Sequence, residues 1–383
     1  MTCFFVTGAT GAIGSALVPL LLEDPDSSVR LLLRARSQQE AEQRLAQLFE
    51  FWGLGAEEAG LRARVQVLRG DVGEPLLGVD EGAYSKLCAE TTHMVHSAGI
   101  VKLNQALAEA RRSAVDSTRH VLAFAEAARR QGPFEKLEFV STVGVAGRTQ
   151  GLVPEVMPLA AAGFHNTYEQ AKSEAERLVV AKIESGLPVT VHRPSMVVGD
   201  SKTGKIIHFQ VFYYLAEFFA GRKTFGIVPD TGEVLLDIIP ADYVAQAIHA
   251  SSGLPEAAGR VFHLCAGPSH APRIADLTVQ LRAIYASHNL PLPRLLKLPF
   301  GVYRRLTPAA ARFAPQKLRP MLRSLPLFLD YLADRQVFDN ANTTAFFSRH
   351  GIDAPCAKEY LGRIMGFYFQ SKLQSERRGQ TPA

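Results

Sequence analysis

The opening stretch MTCFFVTGATGAIG restricts the fold more than any other part of the chain. Cys3 to Val6 read as a buried strand, and the apolar side chains that follow Ala12 open a helix, so Gly8, Gly11 and Gly14 fall in a strand-to-helix turn. Gly8 lets the backbone turn tightly, Gly11 lets it approach a bound phosphate with no Cβ in the way, and Gly14 lets the helix pack on the strand. Thr10, Ala12 and Ile13 complete the loop, and the helix N-terminus adds unpaired N–H groups and a positive dipole end. That is a seat for a dinucleotide pyrophosphate. Three glycines in a loop are more often a plain turn; the strand before them and the helix after them favour the ligand.

The alternation of strand and helix continues. Ser28 to Leu33 read as a second strand ending in Arg34-Ala35-Arg36. An acidic side chain at this tip would bond a ribose 2′-OH, whereas arginine accommodates a 2′-phosphate. With no Asp or Glu from Arg34 to Gln39, Arg34 and Arg36 point to NADPH over NADH, the bland alternative being two solvated charges. A polar helix from about Gln38 to Phe51 leads to a strand, Arg64 to Leu68, closed by Gly70-Asp71-Val72. Thr92 to His96 form the fourth strand, and Ser97-Ala98-Gly99 at its end leave room for a cofactor ribose. A helix from about Gln105 to Gln131 follows, then a strand, Leu137 to Val140, delivering Ser141 and Thr142. A further helix carries Tyr168 and Lys172 on one face, and Leu187 to His192 end in Arg193-Pro194-Ser195-Met196. This order predicts an α/β fold, a Rossmann-type doubly wound parallel sheet with helices on both faces. Right-handed crossovers bring every strand's carboxyl end to one rim, where the glycine turn, Arg34, Asp71, Ala98, Thr142 and Pro194 should meet.

The rim holds the elements of carbonyl chemistry. A phenol with a pKa of about 10 is a weak acid at neutral pH. An ammonium one helical turn away favours the phenolate, so Lys172 is expected to make Tyr168 a better proton donor while also bonding the nicotinamide ribose. Thr142, or failing that Ser141, offers a second hydroxyl to the same substrate oxygen. A Tyr-x-x-x-Lys spacing alone is commonly a helix-surface pair. Behind a dinucleotide turn and a Ser-Thr strand end, the catalytic reading is the better one.

The string TGATGAIG, spaced Gly-x-x-Gly-x-x-Gly, resembles the extended branch of the short-chain dehydrogenase/reductases. That resemblance implies that Asp71 holds the adenine amino group, that Val72 packs on the ring, and that Pro194, Ser195 and Met196 lie beside the nicotinamide. Within the branch, Val67 to Asp71, His96 to Gly99, Phe139 to Gly147, Tyr168 to Glu176, Arg193 to Asp200 and Asp237 to Val244 resemble thioester reductases and fatty acyl-CoA reductases. Gly199-Asp200-Ser201 with Thr203-Gly204, and the segment from Tyr331 to Phe347, are the more specific pieces. Two departures stand out: Ala114 where the family often has Asn, and Ala171 where Ser is common before the lysine. The implied reaction is reduction by NADPH of a thioester on CoA or on an acyl-carrier protein. Hydride addition gives a hemithioacetal oxyanion that collapses to aldehyde and thiol; a second hydride would give the alcohol.

A chain of 383 residues, 47% hydrophobic, has ample material for a large core and an appended lobe. The expected division is a nucleotide-binding domain over 1–200, a substrate-lobe insertion over 201–235, a return to the sheet over 236–270, a helical lid region over 271–371 and a disordered tail over 372–383. Phe209, Phe212, Tyr213, Tyr214, Phe218 and Phe219 at helical spacing serve as lobe core, as one wall of an acyl tunnel, or both. From Pro291 to Leu329 there is no acidic residue, while Arg294, Lys297, Arg304, Arg305, Arg312, Lys317, Arg319 and Arg323 alternate with apolar groups. Such a one-signed segment suits an anionic CoA or carrier protein, or peripheral contact with an anionic membrane. Pro299, Pro308, Pro315, Pro320 and Pro326 should break it into short helices that form a mobile cap. Cys3, Cys88, Cys265 and Cys356 lack metal-ligand spacing, so buried thiols are expected and no metal. The net charge of +5 is too modest to suggest nucleic acid, and no basic-then-apolar leader precedes the turn, which fits a cytoplasmic protein. The competing functions are a nucleotide-sugar epimerase or sterol-type ketone reductase on the same fold, and a non-catalytic NADP-sensing protein. The apolar run argues against a sugar, and the intact Thr142, Tyr168 and Lys172 against a sensor.

Overall fold

Seven parallel strands form the central sheet of the computed structural model. They are β1 (Thr2–Thr7), β2 (Ser27–Leu33), β3 (Val65–Arg69), β4 (His93–His96), β5 (Lys136–Val140), β6 (Val189–Pro194) and β7 (Val261–Leu264). The structure describes residues 1–55, 58–103, 105–313 and 335–377. Strand order is β3-β2-β1-β4-β5-β6-β7, so the direction of winding reverses between β1 and β4 and opens a crevice at their carboxyl ends. Most of these strand residues are buried, which is why they read as apolar runs and not as alternating ones.

Among the described residues the longer helices are α1 (Ala12–Leu21), α2 (Gln38–Trp52), α3 (Glu81–Glu90), α4 (Ser117–Gln131), α5 (Thr167–Glu184), α6 (Val211–Phe219), α7 (Ala241–Ser252), α8 (Ile274–Ser287), α9 (Phe300–Phe313) and α10 (Ala357–Arg377). Local signals set their starts. The Ser37 hydroxyl accepts the Glu40 N–H at 3.1 Å before α2, and Asn166 accepts the Glu169 N–H at 3.0 Å before α5. One layer packs α1, α2 and α7 on the sheet through Leu17, Val18, Leu48, Val244 and Ile248; the other packs α3, α4 and α5 through Leu87, Phe124, Ala128 and Val179. A separate core of Phe212, Phe219, Leu277, Leu281, Tyr285, Tyr360 and Met365 joins α6, α8 and α10 into the lobe. No helix among the described residues is long and apolar enough to cross a membrane.

Several expectations change. The helix expected from about Gln105 to Gln131 runs from Leu107 to Gln131 with a π-turn at Arg112–Asp116 inside it, ahead of α4. The lid's prolines predict short pieces, yet α9 runs as one helix through Pro308, with Pro299 just ahead of it. The tail is expected to lose order from Lys372, but α10 continues to Arg377 because Lys372 turns back to the buried carboxylate of Glu217 at 2.5 Å. Lys317, Arg319, Arg323, Pro315, Pro320, Pro326, Tyr331 to Asp334 and 378–383 lie outside the described residues. Short parallel pairs also emerge, Met196–Val198 with Ile238–Pro240 and Gly151–Val153 with Gln336–Phe338, the latter setting the far C-terminal segment beside the rim.

Candidate active site

The glycine turn brings backbone against backbone at the start of α1. Gly8 has a φ of +83°, and a Cβ there would lie 2.5 Å from the Ala98 nitrogen; a Cβ on Gly14 would collide with the Gly8 carbonyl. Gly11 caps α1 with no side-chain bond, so the N–H groups of the first turn are left for a ligand, at the positive end of the helix dipole. Gly99 has nothing within 4 Å of where its Cβ would stand, which leaves its side of the crevice open.

A cleft of about 390 Å³ opens along this rim. Gly11, Ala12, Ile13, Ser97, Ala98 and Gly99 line one part of it; Thr142, Tyr168 and Lys172 line the middle; Pro194, Ser195 and Met196 lie on the β6 side. The other sequence-derived residues stand outside it. Gly8 and Gly14 lie beneath the turn, while Arg34 and Arg36 are exposed beyond β2, the Arg36 N–H bonding Glu40 at 2.8 Å. Asp71 and Val72 are half-buried beyond β3, with Asp71 Oδ1 accepting the Gly73 N–H at 2.9 Å. Thr10 meets a residue that sequence reasoning missed: the Arg44 guanidinium donates to Thr10 Oγ1 at 3.2 Å and to the Arg34 carbonyl at 2.5 Å, bridging the glycine turn to the β2 tip. A helix starting at Ser37 puts Glu40 and Arg44 on one face above that tip, which is the signal that would have found it.

In the middle of the cleft, the Thr142 hydroxyl hydrogen-bonds the Tyr168 phenol and also accepts the Gly144 N–H at 3.2 Å. Ser141 does not share this role, because its hydroxyl is taken by the buried carboxylate of Glu176 at 2.5 Å. The Lys172 ammonium donates to the Val140 carbonyl at 2.9 Å and lies 5.2 Å from the Phe139 ring centroid. Burial governs both titrating groups. It pushes the Tyr168 phenol up to about 12, against the Thr142 bond and with help from the Glu169 charge. It pulls Lys172 down to about 8, against the attraction of Glu176. The phenol is thus less acidic than a free tyrosine, not more acidic as the spacing suggested: desolvation is the largest influence on it, and the opposing Thr142 bond is weaker.

The lobe wall of the cleft is apolar. Val211 and Leu215 reach it from α6, while Phe212, Phe218 and Phe219 are buried in the lobe core, so the aromatic run serves as core and its helix as cleft wall. Leu236, Val337 and Phe338 close the opposite side. Among the described residues no cluster of His, Cys, Asp or Glu is arranged to hold a metal.

A family model described as Male sterility protein matches residues 6–248. The isonitrile lipopeptide synthase of Streptomyces coeruleorubidus is 34% identical over 275 residues, covering 71% of this chain and 18% of the synthase. A component of the linear gramicidin synthase of Brevibacillus parabrevis is 29% identical over 268 residues, 68% of this chain and 5% of that protein. The chain thus spans a small part of these curated relatives. Among solved structures, the terminal R domain of the myxalamid PKS-NRPS pathway aligns with a TM-score of 0.80 at 27% identity, covering 100% of this chain and 92% of that one. The reductase domain of a Mycobacterium tuberculosis nonribosomal peptide synthetase shares the fold, with a TM-score of 0.68 at 20% identity over 95% of this chain and 91% of that one. With the strand order, the glycine turn and the Tyr-Lys helix in the same chain, it belongs to the Male sterility protein family, the thioester-reductase branch of the extended short-chain dehydrogenase/reductases, whose members use a nicotinamide cofactor.

Proposed function

We propose that the chain reduces acyl thioesters carried on a phosphopantetheine arm, with NADPH as reductant, and releases an aldehyde. One observation carries this reading: Thr142, Tyr168 and Lys172 line the same cleft as the free N–H groups of α1, under an apolar wall from Val211, Leu215 and Phe338. The curated relatives named above are peptide synthases and the solved one is the terminal domain of a PKS-NRPS pathway, which favours a thioester tethered to a carrier protein over free acyl-CoA. NADPH is favoured over NADH by Arg34 and Arg44 at the β2 tip, where residues 34–39 include no Asp or Glu.

When bound, the nicotinamide supplies hydride to the thioester carbonyl carbon. The α1 N-terminus holds the pyrophosphate, Asp71 the adenine edge, and Ser97, Ala98 and Gly99 leave space for the ribose. Tyr168 and Thr142 donate hydrogen bonds to the carbonyl oxygen, and these strengthen as negative charge grows there. With its proton held to about pH 12, Tyr168 is a loaded donor throughout the working range, and it passes that proton to the oxygen. The resulting hemithioacetal expels the thiol, giving R–CHO and HS–R′. Lys172, charged at neutral pH, keeps Tyr168 in place and stabilises the phenolate left behind. In this reading 1–200 and 236–270 form the nucleotide-binding unit, and the lobe from 201–235 and 271–371 receives the acyl chain.

The test is loss of NADPH absorbance, with aldehyde trapped as a hydrazone, on acyl-carrier protein, acyl-CoA, UDP-sugars and a steroid ketone. Oxidation with carrier-bound thioester and a matching yield of aldehyde is expected. Turnover confined to the sugar or ketone, or absent with every thioester, refutes the reading.

A further inference from the structure

Behind the floor of the cleft lies a buried charge pair to which the steps above give no part. Glu176 stands on α5 one turn beyond Lys172, on the face that carries Tyr168 and Lys172. Its carboxylate receives the Ser141 hydroxyl at 2.5 Å, Arg193 Nε at 3.1 Å and Arg193 Nη2, a two-pronged guanidinium pair. Both residues are almost wholly buried, Arg193 at 0% and Glu176 at 4% exposure. The donors come from strand ends: Ser141 precedes Thr142 just after β5, and Arg193 precedes Pro194 in β6. The rest of the guanidinium is also spoken for, Nη1 donating to the Val156 carbonyl at 3.0 Å and to His263 Nε2 at 3.1 Å.

We propose that Glu176 is a positioning residue for the reduction: clamped by Arg193 and Ser141, it fixes Thr142 and Pro194 around α5 and places a negative charge that keeps Lys172 protonated during turnover. The inference rests on the reductase reading. Its physical basis is a comparison of costs. Two desolvated charges repay their burial only with good geometry, and a plug of apolar side chains would hold the same strands together as well or better. An apolar plug supplies no charge, however, and a buried ammonium one turn away tends to lose its proton unless a carboxylate opposes that loss.

The other charges around Lys172 cannot replace Glu176. On its own helix, Tyr168 is neutral, Glu169 is bonded to His165 at 2.9 Å, and Glu174 pairs with Arg111 on the outer side. From β4, His96 is held neutral by burial, its pKa lowered to about 3. From β6, Arg193 is cationic and opposes the lysine's charge. Glu138, with Lys136 and His192, joins Ser251 of α7 on the opposite face of the sheet.

The experiment follows kcat/KM against pH at saturating NADPH for wild type, Glu176→Gln, Glu176→Asp and Ser141→Ala. Competitive acetylation of Lys172, read by mass spectrometry across pH, measures the same ionisation without turnover. Glu176→Gln should lower kcat about tenfold, leave KM for the thioester nearly unchanged, and move both the alkaline limb and the Lys172 labelling midpoint down by about one pH unit. Glu176→Asp, which keeps the charge, and Ser141→Ala, which keeps the ion pair, should retain the wild-type midpoint. A Glu176→Gln protein that binds nucleotide normally but keeps the wild-type midpoint overturns the inference. If Glu176→Gln does not fold, a shifted midpoint in Glu176→Asp overturns it equally. Wild type without thioester-dependent oxidation strikes the reductase reading instead, and the labelling midpoint still decides whether Glu176 holds the charge on Lys172.

Discussion

Lys172→Met should make the protein more stable and nearly inactive. Burial lowers the Lys172 pKa from 10.5 to about 8, so at 1.36 kcal/mol per tenfold the folded chain bears a cost of about 3 kcal/mol for keeping this ammonium at pH 7. In the unfolded chain Lys172 keeps its proton up to about pH 10.5. Between about pH 8 and pH 10.5 the unfolded state therefore binds more protons, and stability rises with pH across that window. Methionine fills a similar volume without charge. Against the recovered cost stand the bond to the Val140 carbonyl, worth about 1 kcal/mol, and the contact with the Phe139 ring, worth about 0.5–1 kcal/mol. The net expectation at pH 7 is a gain of about 1–2 kcal/mol, with turnover reduced at least about 100-fold. Urea unfolding followed by fluorescence at pH 7 and pH 10.5 measures it. At the higher pH the lysine is largely neutral in the folded state and half-neutral in the unfolded one, the cost has shrunk to about 0.4 kcal/mol, and the gain should turn into a loss of about 1 kcal/mol. A variant less stable than wild type at pH 7, or a difference that does not change with pH, would refute the reasoning that burial dominates this lysine.

Tyr168→Phe removes only the hydroxyl of the proposed proton donor; turnover should fall about 10²–10⁴-fold with nucleotide affinity within a factor of two, as read by fluorescence titration, and a near-normal rate would discredit the assignment. Arg44→Ala should weaken NADPH far more than NADH, because its guanidinium stands at the β2 tip between Thr10 and Arg34; equal weakening in calorimetry would mean that it only braces the turn. Arg193→Met strands the Glu176 carboxylate in the interior and should cost about 3–5 kcal/mol of unfolding free energy, most of it recovered in the Arg193→Met/Glu176→Leu double variant. A double variant no better than the single would show that the loss comes from packing alone.

What could be read in advance follows from the range of the signal. The glycine turn, the apolar strands and the Tyr168–Lys172 spacing are local patterns, each set by residues within one or two turns of one another, and the sheet topology follows from their order. Gln336–Phe338 could not be placed that way. It is three residues long, pairs with Gly151–Val153 across nearly half the chain, and carries no periodicity that distinguishes it from loop, yet Val337 and Phe338 close the cleft. Arg44 lies hidden for a different reason: its helix is legible in the sequence, but its contact with Thr10 depends on how α2 settles over the β2 tip.

The ionisation states show the deepest limit. Spacing alone says that Tyr168, Lys172 and Glu176 are neighbours at successive turns, which suggests a phenol made acidic by an ammonium. It says nothing of the dielectric around them, and once α5 is pressed onto β5, desolvation is the largest influence on both Tyr168 and Lys172. The two move toward their uncharged forms, the phenol up to about 12 and the ammonium down to about 8. For a proton donor this is a workable arrangement: the phenol cannot ionise before substrate arrives, and only the growing charge on the acyl oxygen draws its proton away. The ammonium is the part at risk, since it titrates nearest to neutral pH. A buried carboxylate one turn along, itself fixed by an arginine from the next strand, is what such a site requires and what a helix-surface pair would lack.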